Sequence, residues 1–493
     1  MTDLISTVNN VVWSSALVYL CLGAGLFFSL MTRFVQVRQF PEMIRLLRSG
    51  RASAAGISTF QALAVSLSGR VGTGNIAGVA AAIGFGGPGA VFWMWVVAFL
   101  GASTAYVEST LGQIYKEVDD GQYRGGPAFY IEKALGQKWY AWLFALTTVF
   151  ACGLLLPGVQ ANAIGNAVDL AAGGARMVAT PVGDVSLAKL IMGAAVTVAL
   201  AVIIFGGVKR IARFTQVVVP AMAVLYIISA LVIIGMNLSA VPGIIMLILG
   251  DAFTPMAGLG AVIGWGVKRG IYSNEAGQGT GPHAAAAAEV DHPAQQGLVQ
   301  AFSVYVDTLF ICSATAFMIL ITGAYHVTGV DAAVSGGSLM ASVDPNSPAF
   351  TQMAVSSVFT GIGGPFVALA LFFFAFTTLL SYYYIAETNV AYIRRTFNIP
   401  GLMLLLKLAL LGSAFYGAIR AAGTAWALGD IGVGVMAWMN IIGILLIFLA
   451  ARPAIKALRD YEAQKRAGVA RYRFDPKALG IKNADFWEQR DQS

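Results

Sequence analysis

The chain has 493 residues, of which 58% are apolar and only 11% are charged, and its mean hydropathy is +0.74. Soluble globular proteins carry about 25% charged residues, so this composition excludes a soluble domain and predicts a polytopic helical membrane protein. The alternation over about 10 residues that is typical of membrane β-barrels is absent. The net charge of +7 does not indicate nucleic-acid binding, because the basic residues cluster between the apolar runs.

Eleven membrane-spanning helices are predicted, since the apolar runs reach the length of about 20 residues that crosses a bilayer. These spans 1 to 11 cover residues 13–32, 57–83, 88–115, 139–161, 187–208, 214–236, 257–275, 297–324, 364–393, 401–419 and 424–451. Residues 1–56 are predicted to form an extra helix and a basic loop, and 237–256 an external connector too short to span. Residues 452–493 are too polar for a core and are predicted to form a short interfacial helix and a cytoplasmic tail.

The basic residues predict the orientation of the chain. Most of the 31 Lys and Arg residues follow odd-numbered spans: in the loop up to residue 51, between Lys116 and Lys138, in "KRIAR", at Lys268 and Arg269, at Arg394 and Arg395, and in the tail from Arg452. By the positive-inside rule these segments face the cytoplasm. The expectation is an inner (plasma) membrane protein with its N-terminus outside and its C-terminus inside.

Span 2 is interrupted by "SGRVGTGNIAGVA", which places Gly72, Thr73 and Gly74 inside an apolar helix. Unsatisfied backbone groups in lipid cost several kcal/mol each, so such a break predicts a cavity that supplies partners. Where the helix resumes at Asn75, free N–H groups and the helix dipole favour an anion such as a carboxylate. The unwound carbonyl groups near Ser68 and Val71 favour a small cation.

Span 7 is predicted to be interrupted in the same way at Gly264, Trp265 and Gly266. The two breaks lie five spans apart, which gives the two spans opposite directions in the membrane. Residues 57–236 and 257–451 are therefore predicted to be two five-helix repeats of inverted topology, as in many secondary transporters. The alternative is that these glycines form packing faces, which are common in membrane helices.

Three stretches carry a resemblance to a known family. "GRVGTGNIAGVAAAIGFGGPGAVFWMW", "GGPAFYIEKALG" and "RGIYSNEAGQGTGPHAAAAAEVDHPAQQG" closely resemble the alanine or glycine:cation symporter family, between about Phe60 and Ala386. The resemblance implies an all-α leucine-transporter-type fold and uptake of alanine or glycine with sodium. "VGTGN" is also similar to the "VGLGN" of leucine-type transporters, in which that break holds amino acid and sodium.

The resemblance also implies a sodium site on span 9. It would join the hydroxyl groups of Thr377 and Thr378 to backbone oxygens of Ser68, Val71 and Phe374. The alternative is that each threonine bonds a preceding carbonyl of its own helix.

For the substrate, the resemblance implies that Gln160, at the end of span 4, binds the amino group and that Trp265 is an aromatic gate. The alternatives are an interhelical hydrogen bond for Gln160 and simple packing for Trp265. Ser381 and Tyr382 are assigned to the substrate-side wall. Tyr382 stands where family members are expected to carry Trp, in a Trp-x-Tyr-Tyr-Gly-Glu pattern that reads here as "YYYIAE".

Charged residues inside spans are costly and usually functional. We hypothesise that Arg70, beside the first break, pairs with Asp307 or Glu387 to close the inner path and to couple ion and substrate. Glu108 is expected to be a rim carboxylate near Lys116, and His283 to brace the inner gate.

The sequence thus predicts a sodium-coupled symporter of a small neutral amino acid, alanine or glycine. The alternative is a proton-coupled or broader carrier that accepts serine or glutamine. Paired inverted breaks fit a channel poorly, and neither the clustered groups of a membrane enzyme nor a phosphate loop for ATP is seen. No cofactor besides the coupling Na⁺, no metal site and no nucleic-acid partner is expected. The oligomeric state is left open, with a monomer as one possibility.

Overall fold

The structure is a computed structural model that describes residues 2–48, 50, 52–174, 176–181, 183–256, 258–397, 399–420 and 422–490. These residues form an all-helical protein with two short β-hairpins. Nine of the described helices are long and apolar enough to cross a membrane, so the predicted class, a polytopic helical membrane protein, is confirmed. The predicted segment ends at residues 1, 257 and 493, and Ser49 and Arg51 of the first basic loop, lie outside the described residues.

The first interrupted helix is formed by α5 and α6. A capping box begins α5, because Ser58 Oγ accepts from the amide of Gln61 and Gln61 Oε1 accepts from that of Ser58. After α5 the chain passes an extended Gly72 and a 3₁₀ turn at Thr73–Asn75 before α6 begins, so the predicted break in span 2 is confirmed. The helices up to this point are α1 (Thr2–Val12), α2 (Ser15–Met31), α3 (Val35–Arg38), α4 (Phe40–Leu46), α5 (Thr59–Arg70) and α6 (Ala77–Gly86).

The next part of the chain holds spans 3 to 6 and both hairpins. Its elements are α7 (Ala90–Ile114), β1 (Glu117–Asp119), β2 (Gln122–Arg124), α8 (Pro127–Leu135), α9 (Lys138–Phe150), α10 (Leu156–Ala171), β3 (Met177–Thr180), β4 (Gly183–Ser186), α11 (Leu187–Ile204), α12 (Gly207–Met236) and α13 (Val241–Phe253). A π-helical turn joins α9 to α10 in one continuous helix. The connector predicted at 237–256 contains α13, which packs against α7 and α14.

The last part of the chain begins with the second interrupted helix. Its elements are α14 (Leu259–Asn274), α15 (Gly281–Ala287), α16 (Pro293–Tyr305), α17 (Ser313–Thr322), α18 (Ala332–Ser335), α19 (Ala349–Val358), α20 (Gly363–Arg394), α21 (Leu402–Ile419), α22 (Ala422–Ala450), α23 (Pro453–Arg466) and α24 (Asp485–Arg490). A π-helical turn at Val306–Cys312 joins α16 to α17. The short α19 lies outside every predicted span.

The second break is real, but its predicted position is wrong. Helix α14 runs without interruption through Gly264, Trp265 and Gly266, and the chain leaves the helix only at Glu275. The left-handed backbone at Glu275, Gly277 and Gly279 then separates α14 from α15. Lys268 and Arg269, which were assigned to a cytoplasmic loop, lie inside α14 for the same reason.

Two central helices and a peripheral group organise the packing. Nearly every residue of α7 from Gly101 and of α20 from Phe374 is buried, which marks helices that are enclosed by other helices. In contrast, α11, α12 and α21 expose apolar side chains such as Val198, Leu225 and Leu405. These exposed apolar faces suit contact with lipid chains.

The polar C-terminal residues form a helix, α23, and pack against the rest of the protein. Tyr461, Phe474 and Trp487 are buried against the rest of the protein. Glu42 forms ion pairs with Arg45 and Lys465 and accepts a hydrogen bond from the phenol of Tyr461. Although burial raises the pKa of the Glu42 carboxyl, these three partners outweigh it and hold the pKa at about 2.

Candidate functional site

At the first break, carbonyl groups of the unwound backbone face α20. The hydroxyl oxygen of Thr378 lies 2.8 Å from the carbonyl oxygen of Ser68 and 3.4 Å from that of Val71. It also lies 3.0 Å from the carbonyl oxygen of Phe374, one turn earlier in α20. All four residues are buried. The structure therefore brings together four of the five predicted cation ligands, all of them neutral oxygens.

Thr377 differs from its neighbour Thr378. Its hydroxyl donates within α20, to the carbonyl oxygens of Phe373 at 2.9 Å and Phe374 at 3.0 Å. This is the arrangement that the sequence left open as the alternative for both threonines.

Gln160 lies on the other side of the same break. Its Oε1 accepts from the main-chain N–H of Thr73 at 3.0 Å, and the buried hydroxyl of Thr73 has no partner among the described residues. A methyl group on Gly72 would come within 3.0 Å of Gln160 Oε1 and closer still to the Thr378 hydroxyl. The hydroxyl group of the buried Tyr382 also interacts with the Gln160 side chain. Gln160 is not the end of a helix as predicted, because α10 continues to Ala171.

Asn75 links the first break to the end of α14 and to the π-helical turn after α16. Its Oδ1 accepts from the amide of Gly72 at 2.8 Å, and its Nδ2 donates to Asp307 Oδ1 at 2.6 Å. Asp307 also accepts from Ser273 Oγ at 3.0 Å and from Thr308 Oγ1 at 2.7 Å. Gly74 fits closely here, since a methyl group on it would lie 3.0 Å from the Cα atom of Ser273.

At the second break, a carboxylate of the protein itself accepts hydrogen bonds from the backbone. Glu108 of α7 is fully buried and accepts from the amides of Gly277 and Gly279, each at 3.2 Å, and from Asn440 Nδ2 at 2.7 Å. Thr280 Oγ1 donates to Glu275 Oε2 at 2.8 Å. The expectation of a rim carboxylate near Lys116 is thus wrong for Glu108. The stretch "SNEAGQGTG" was the available signal, since it combines an acid with closely spaced glycines.

The residues around Trp265 are helical rather than part of a break. The Trp265 ring stacks on Phe85 of α6, with centroids 4.6 Å apart. A methyl group on Gly266 would meet the carbonyl oxygen of Ala90 in α7, so Gly266 forms a packing contact, which was the alternative to a break. Among the described residues, no atom lies within 4 Å of such a methyl group on Gly264. Because both glycines have intact helical hydrogen bonds, they offer no free backbone group to a substrate.

Arg70 is buried but forms no ion pair with Asp307 or Glu387 in the described part of the chain. Its Nη1 donates to the carbonyl oxygen of Gln300 at 3.0 Å and to Ser303 Oγ. Glu387 instead lies 3.6 Å from Arg124. The hypothesised pairing of Arg70 with either acid is therefore not present in this conformation.

Ser381 and His283 connect helices α5 and α15 to α20. Ser381 Oγ donates to the carbonyl oxygen of Val65 in α5 at 3.2 Å. The ring of His283 in α15 lies 2.8 Å from Asn389 Nδ2, and its main-chain oxygen accepts from the Tyr384 hydroxyl. The predicted brace at His283 thus has partners on α20.

A buried ion cluster, which the sequence did not predict, joins α14 to α22. Arg269 binds both carboxylate oxygens of Asp430, at 2.9 and 3.1 Å, and Lys268 Nζ lies 2.7 Å from Asp430 Oδ2. The Arg269 guanidinium also lies 4.5 Å from the centre of the Trp426 ring. The two hydrogen bonds from the Arg269 guanidinium offset the desolvation cost of burying the Asp430 carboxylate.

Comparison with known sequences identifies the family of the chain. The profile of the sodium:alanine symporter family matches residues 1–475. The chain belongs to the sodium:alanine symporter family. Among its relatives in the family, the Bacillus subtilis (strain 168) carrier protein YrbD is 56% identical over 493 residues, covering 99% of this chain and 98% of YrbD.

Two further relatives differ in the substrate that their names give. A protein of Bacillus sp. (strain PS3) named "Sodium/proton-dependent alanine carrier protein" is 47% identical over 90% of this chain and 97% of its own length. GlnT of Bacillus subtilis, named "Probable sodium/glutamine symporter", is 40% identical over 95% of this chain and 92% of its own length. Family membership alone therefore leaves more than one amino acid as a substrate.

Proposed function

We propose that this member of the sodium:alanine symporter family carries alanine or glycine into the cell together with Na⁺, by alternating access. The observation that carries the proposal is the meeting of the Thr378 hydroxyl with the carbonyl oxygens of Ser68 and Val71, directly beside the Thr73 amide. Neutral oxygens in such a cluster suit a small hard cation, and the adjacent N–H group suits a carboxylate.

The substrate is proposed to bind by exchanging one hydrogen bond for another. Gln160 Oε1 now accepts from the Thr73 amide. A substrate carboxylate takes over that N–H group together with the Thr73 hydroxyl, which has no partner in the described part of the chain, and the released amide oxygen of Gln160 accepts from the substrate ammonium. Because Gly72, Thr378 and Gln160 are in such close contact, the site favours a small side chain on the substrate.

Coupling follows from the shared break, since each ligand stabilises the same backbone conformation for the other. One positive charge moving down about 100 mV yields about 2.3 kcal/mol. That energy sustains roughly 40-fold accumulation at about 1.4 kcal/mol per decade. The Na⁺ concentration gradient adds to it.

The proposed architecture keeps eleven spans and two inverted five-helix repeats, at 57–236 and 257–451, with the second break moved to residues 275–280. In this arrangement α5 and α15 are the inner halves of the two broken helices, and α6 and α14 the outer halves. The N-terminus lies outside and the C-terminus inside, in the plasma membrane. The extra first helix (residues 1–56), the connector (237–256) and the C-terminal residues 452–493 lie outside the repeats.

A proton-coupled carrier is the second candidate, and Asp307 favours it. This buried acid bonds to Asn75 of the first break and to Ser273 at the end of α14, so its charge would act on both broken helices. The names of the relatives also include proton-dependent and glutamine carriers.

Uptake of labelled alanine and glycine into proteoliposomes tests the proposal, with a Na⁺ gradient or a proton gradient imposed separately. The matched variants are Thr378→Val, which removes the hydroxyl that faces the break, and Thr377→Val, which removes the one bonded within α20. We expect the Na⁺ concentration for half-maximal uptake to rise at least about tenfold in the first, equivalent to about 1.4 kcal/mol, and to change little in the second.

Equal Na⁺ dependence in both variants would rule out a sodium site at Thr378. Uptake driven by protons alone, and lost in Asp307→Asn, would instead establish the second candidate. Glutamine and serine are included as substrates, because uptake of these without alanine or glycine would contradict the proposed specificity.

A further inference from the structure

The inner halves of the two broken helices are joined by main-chain hydrogen bonds. The amide of Ile57, just before α5, donates to the carbonyl oxygen of Ala287 at the end of α15, at 2.9 Å. The amide of Glu289 donates back to the carbonyl oxygen of Ile57 at 2.8 Å. Separation of the two inner halves therefore requires these two hydrogen bonds of Ile57 to break.

Helix α24, near the end of the chain, is connected to the end of α15 through a residue of α7. Trp487 is only 2% exposed, and its indole N–H donates to the carbonyl oxygen of Gln113 at 2.9 Å. The Gln113 side chain in turn donates to the carbonyl oxygens of Ala285 and Ala288. Trp487 thus holds the side of α7 that supports the end of α15.

Lys116 adds a second connection. It is completely buried, and its Nζ donates to the carbonyl oxygen of Ala288 at 2.9 Å. The same Nζ lies 4.1 Å from the centre of the Tyr123 ring, 4.5 Å from that of Phe486 and 5.4 Å from that of Trp487. These rings enclose the amine and exclude water from it, so α24 completes the environment that fixes Lys116 on Ala288.

Arg490 forms the third connection, directly to the segment that follows α15. Its Nη2 lies 2.8 Å from Glu289 Oε1, and its Nη1 donates to the carbonyl oxygen of Val290 at 2.8 Å. At the other end of α24, Asp485 pairs with Lys133 of α8 at 2.9 Å. Helix α24 therefore bridges α8, α7 and the 288–290 segment.

From these contacts we infer that α24 is a clasp that holds the inner end of the second broken helix closed, with Trp487 as its central positioning residue. Opening toward the cytoplasm then requires the α24 contacts with Gln113, Lys116 and Glu289 to be released or carried along with α15. The inference rests on the proposed alternating-access transport for its role in the cycle. It adds a positioning element that lies outside both breaks.

Hydrogen–deuterium exchange of the full-length protein in nanodiscs tests the clasp without requiring transport. The variants are Trp487→Ala and Arg490→Ala, with Gln489→Ala as the matched control, because Gln489 is exposed on the same short helix. We expect amides in 281–290 to exchange at least about fivefold faster in the first two variants, the effect of one lost hydrogen bond. The outer half-helix, residues 77–86, and the Gln489→Ala protein should exchange as in the wild type.

Two results would overturn the clasp. One is unchanged exchange in 281–290 for both variants. The other is an equal increase in 77–86, which would mean general destabilisation. Arg490→Ala keeps the inference testable if Trp487→Ala fails to fold, since the Arg490 side chain is partly exposed. Failure of sodium symport in the uptake assay would leave these exchange results interpretable, so the two proposals fail separately.

Discussion

The two interrupted helices satisfy their broken backbones in different ways. At the first break the partners are neutral and come from a hydroxyl and an amide, Thr378 and Gln160. At the second break the buried carboxylate of Glu108 accepts from two glycine amides, those of Gly277 and Gly279. A ligand can replace a neutral partner at modest cost, whereas charge-assisted bonds are about twice as strong and costly to break. We therefore expect ligands to bind at the first break. At the second break we expect the Glu108 carboxylate to keep the backbone in place.

The largest effect is expected from removing the carboxylate of the second break. Glu108→Ala leaves the amides of Gly277 and Gly279 buried without acceptors, at about 1–3 kcal/mol each. We expect a lower unfolding temperature in detergent and loss of uptake. Glu108→Gln, which keeps one carbonyl oxygen, should recover part of the stability. An unfolding temperature equal to that of the wild type in Glu108→Ala would contradict the idea of a carboxylate-held joint.

Substituting one glycine at the first break and one in the intact helix α14 compares the two environments. Gly72→Ala places a methyl group against Thr378 and Gln160, and such overpacking costs about 1–3 kcal/mol. We expect uptake at low substrate concentration to fall at least about tenfold, the equivalent of about 1.4 kcal/mol. The methyl group of Gly264→Ala meets no atom of the described residues within 4 Å, and the change removes a flexible residue from a helix, so stability should stay equal or rise by about 0.5–1 kcal/mol.

The two glycine variants are compared with the wild type by uptake assays and by thermal unfolding of the purified proteins. Loss of transport in Gly264→Ala with normal stability would show that the intact part of α14 has to unwind during the cycle. Normal transport in Gly72→Ala would remove the first break from the binding site.

The smallest effect is expected from two hydroxyl groups, one at each break. Thr280→Val removes the bond to Glu275, so it should lower the free energy of unfolding by about 0.5–1.5 kcal/mol. Thr73→Val removes a hydroxyl that has no partner among the described residues, so it should leave stability unchanged and raise the KM for the amino acid. The contrary result would be a loss of stability in Thr73→Val and a change in KM alone in Thr280→Val. It would place ligand binding at the second break and structural support at the first.

The contrast also shows where sequence reasoning succeeded and failed. Both candidate breaks had the same Gly-x-Gly pattern, yet only 72–74 interrupts its helix. The glycines at 72 and 74 lie beside polar groups of α10, α14 and α20, whereas Gly266 packs against the backbone of α7. A glycine pair permits a break in a helix. The polar groups that satisfy the unpaired backbone groups in a membrane come from other helices. Their position cannot be read from the local sequence.

Composition and hydropathy alone determined that this is a polytopic helical membrane protein, and the run of glycine and polar residues at 68–80 predicted the break in span 2. These properties depend on local sequence, because lipid forces every apolar run of sufficient length to satisfy its own backbone as a helix. The quoted motifs pointed to the family. Only the tertiary structure decided the position of the second break, the role of Glu108, the pairing of Arg269 with Asp430 and the burial of Trp487. Each of these depends on side chains far apart in the chain, whose mutual distances are set by helix packing.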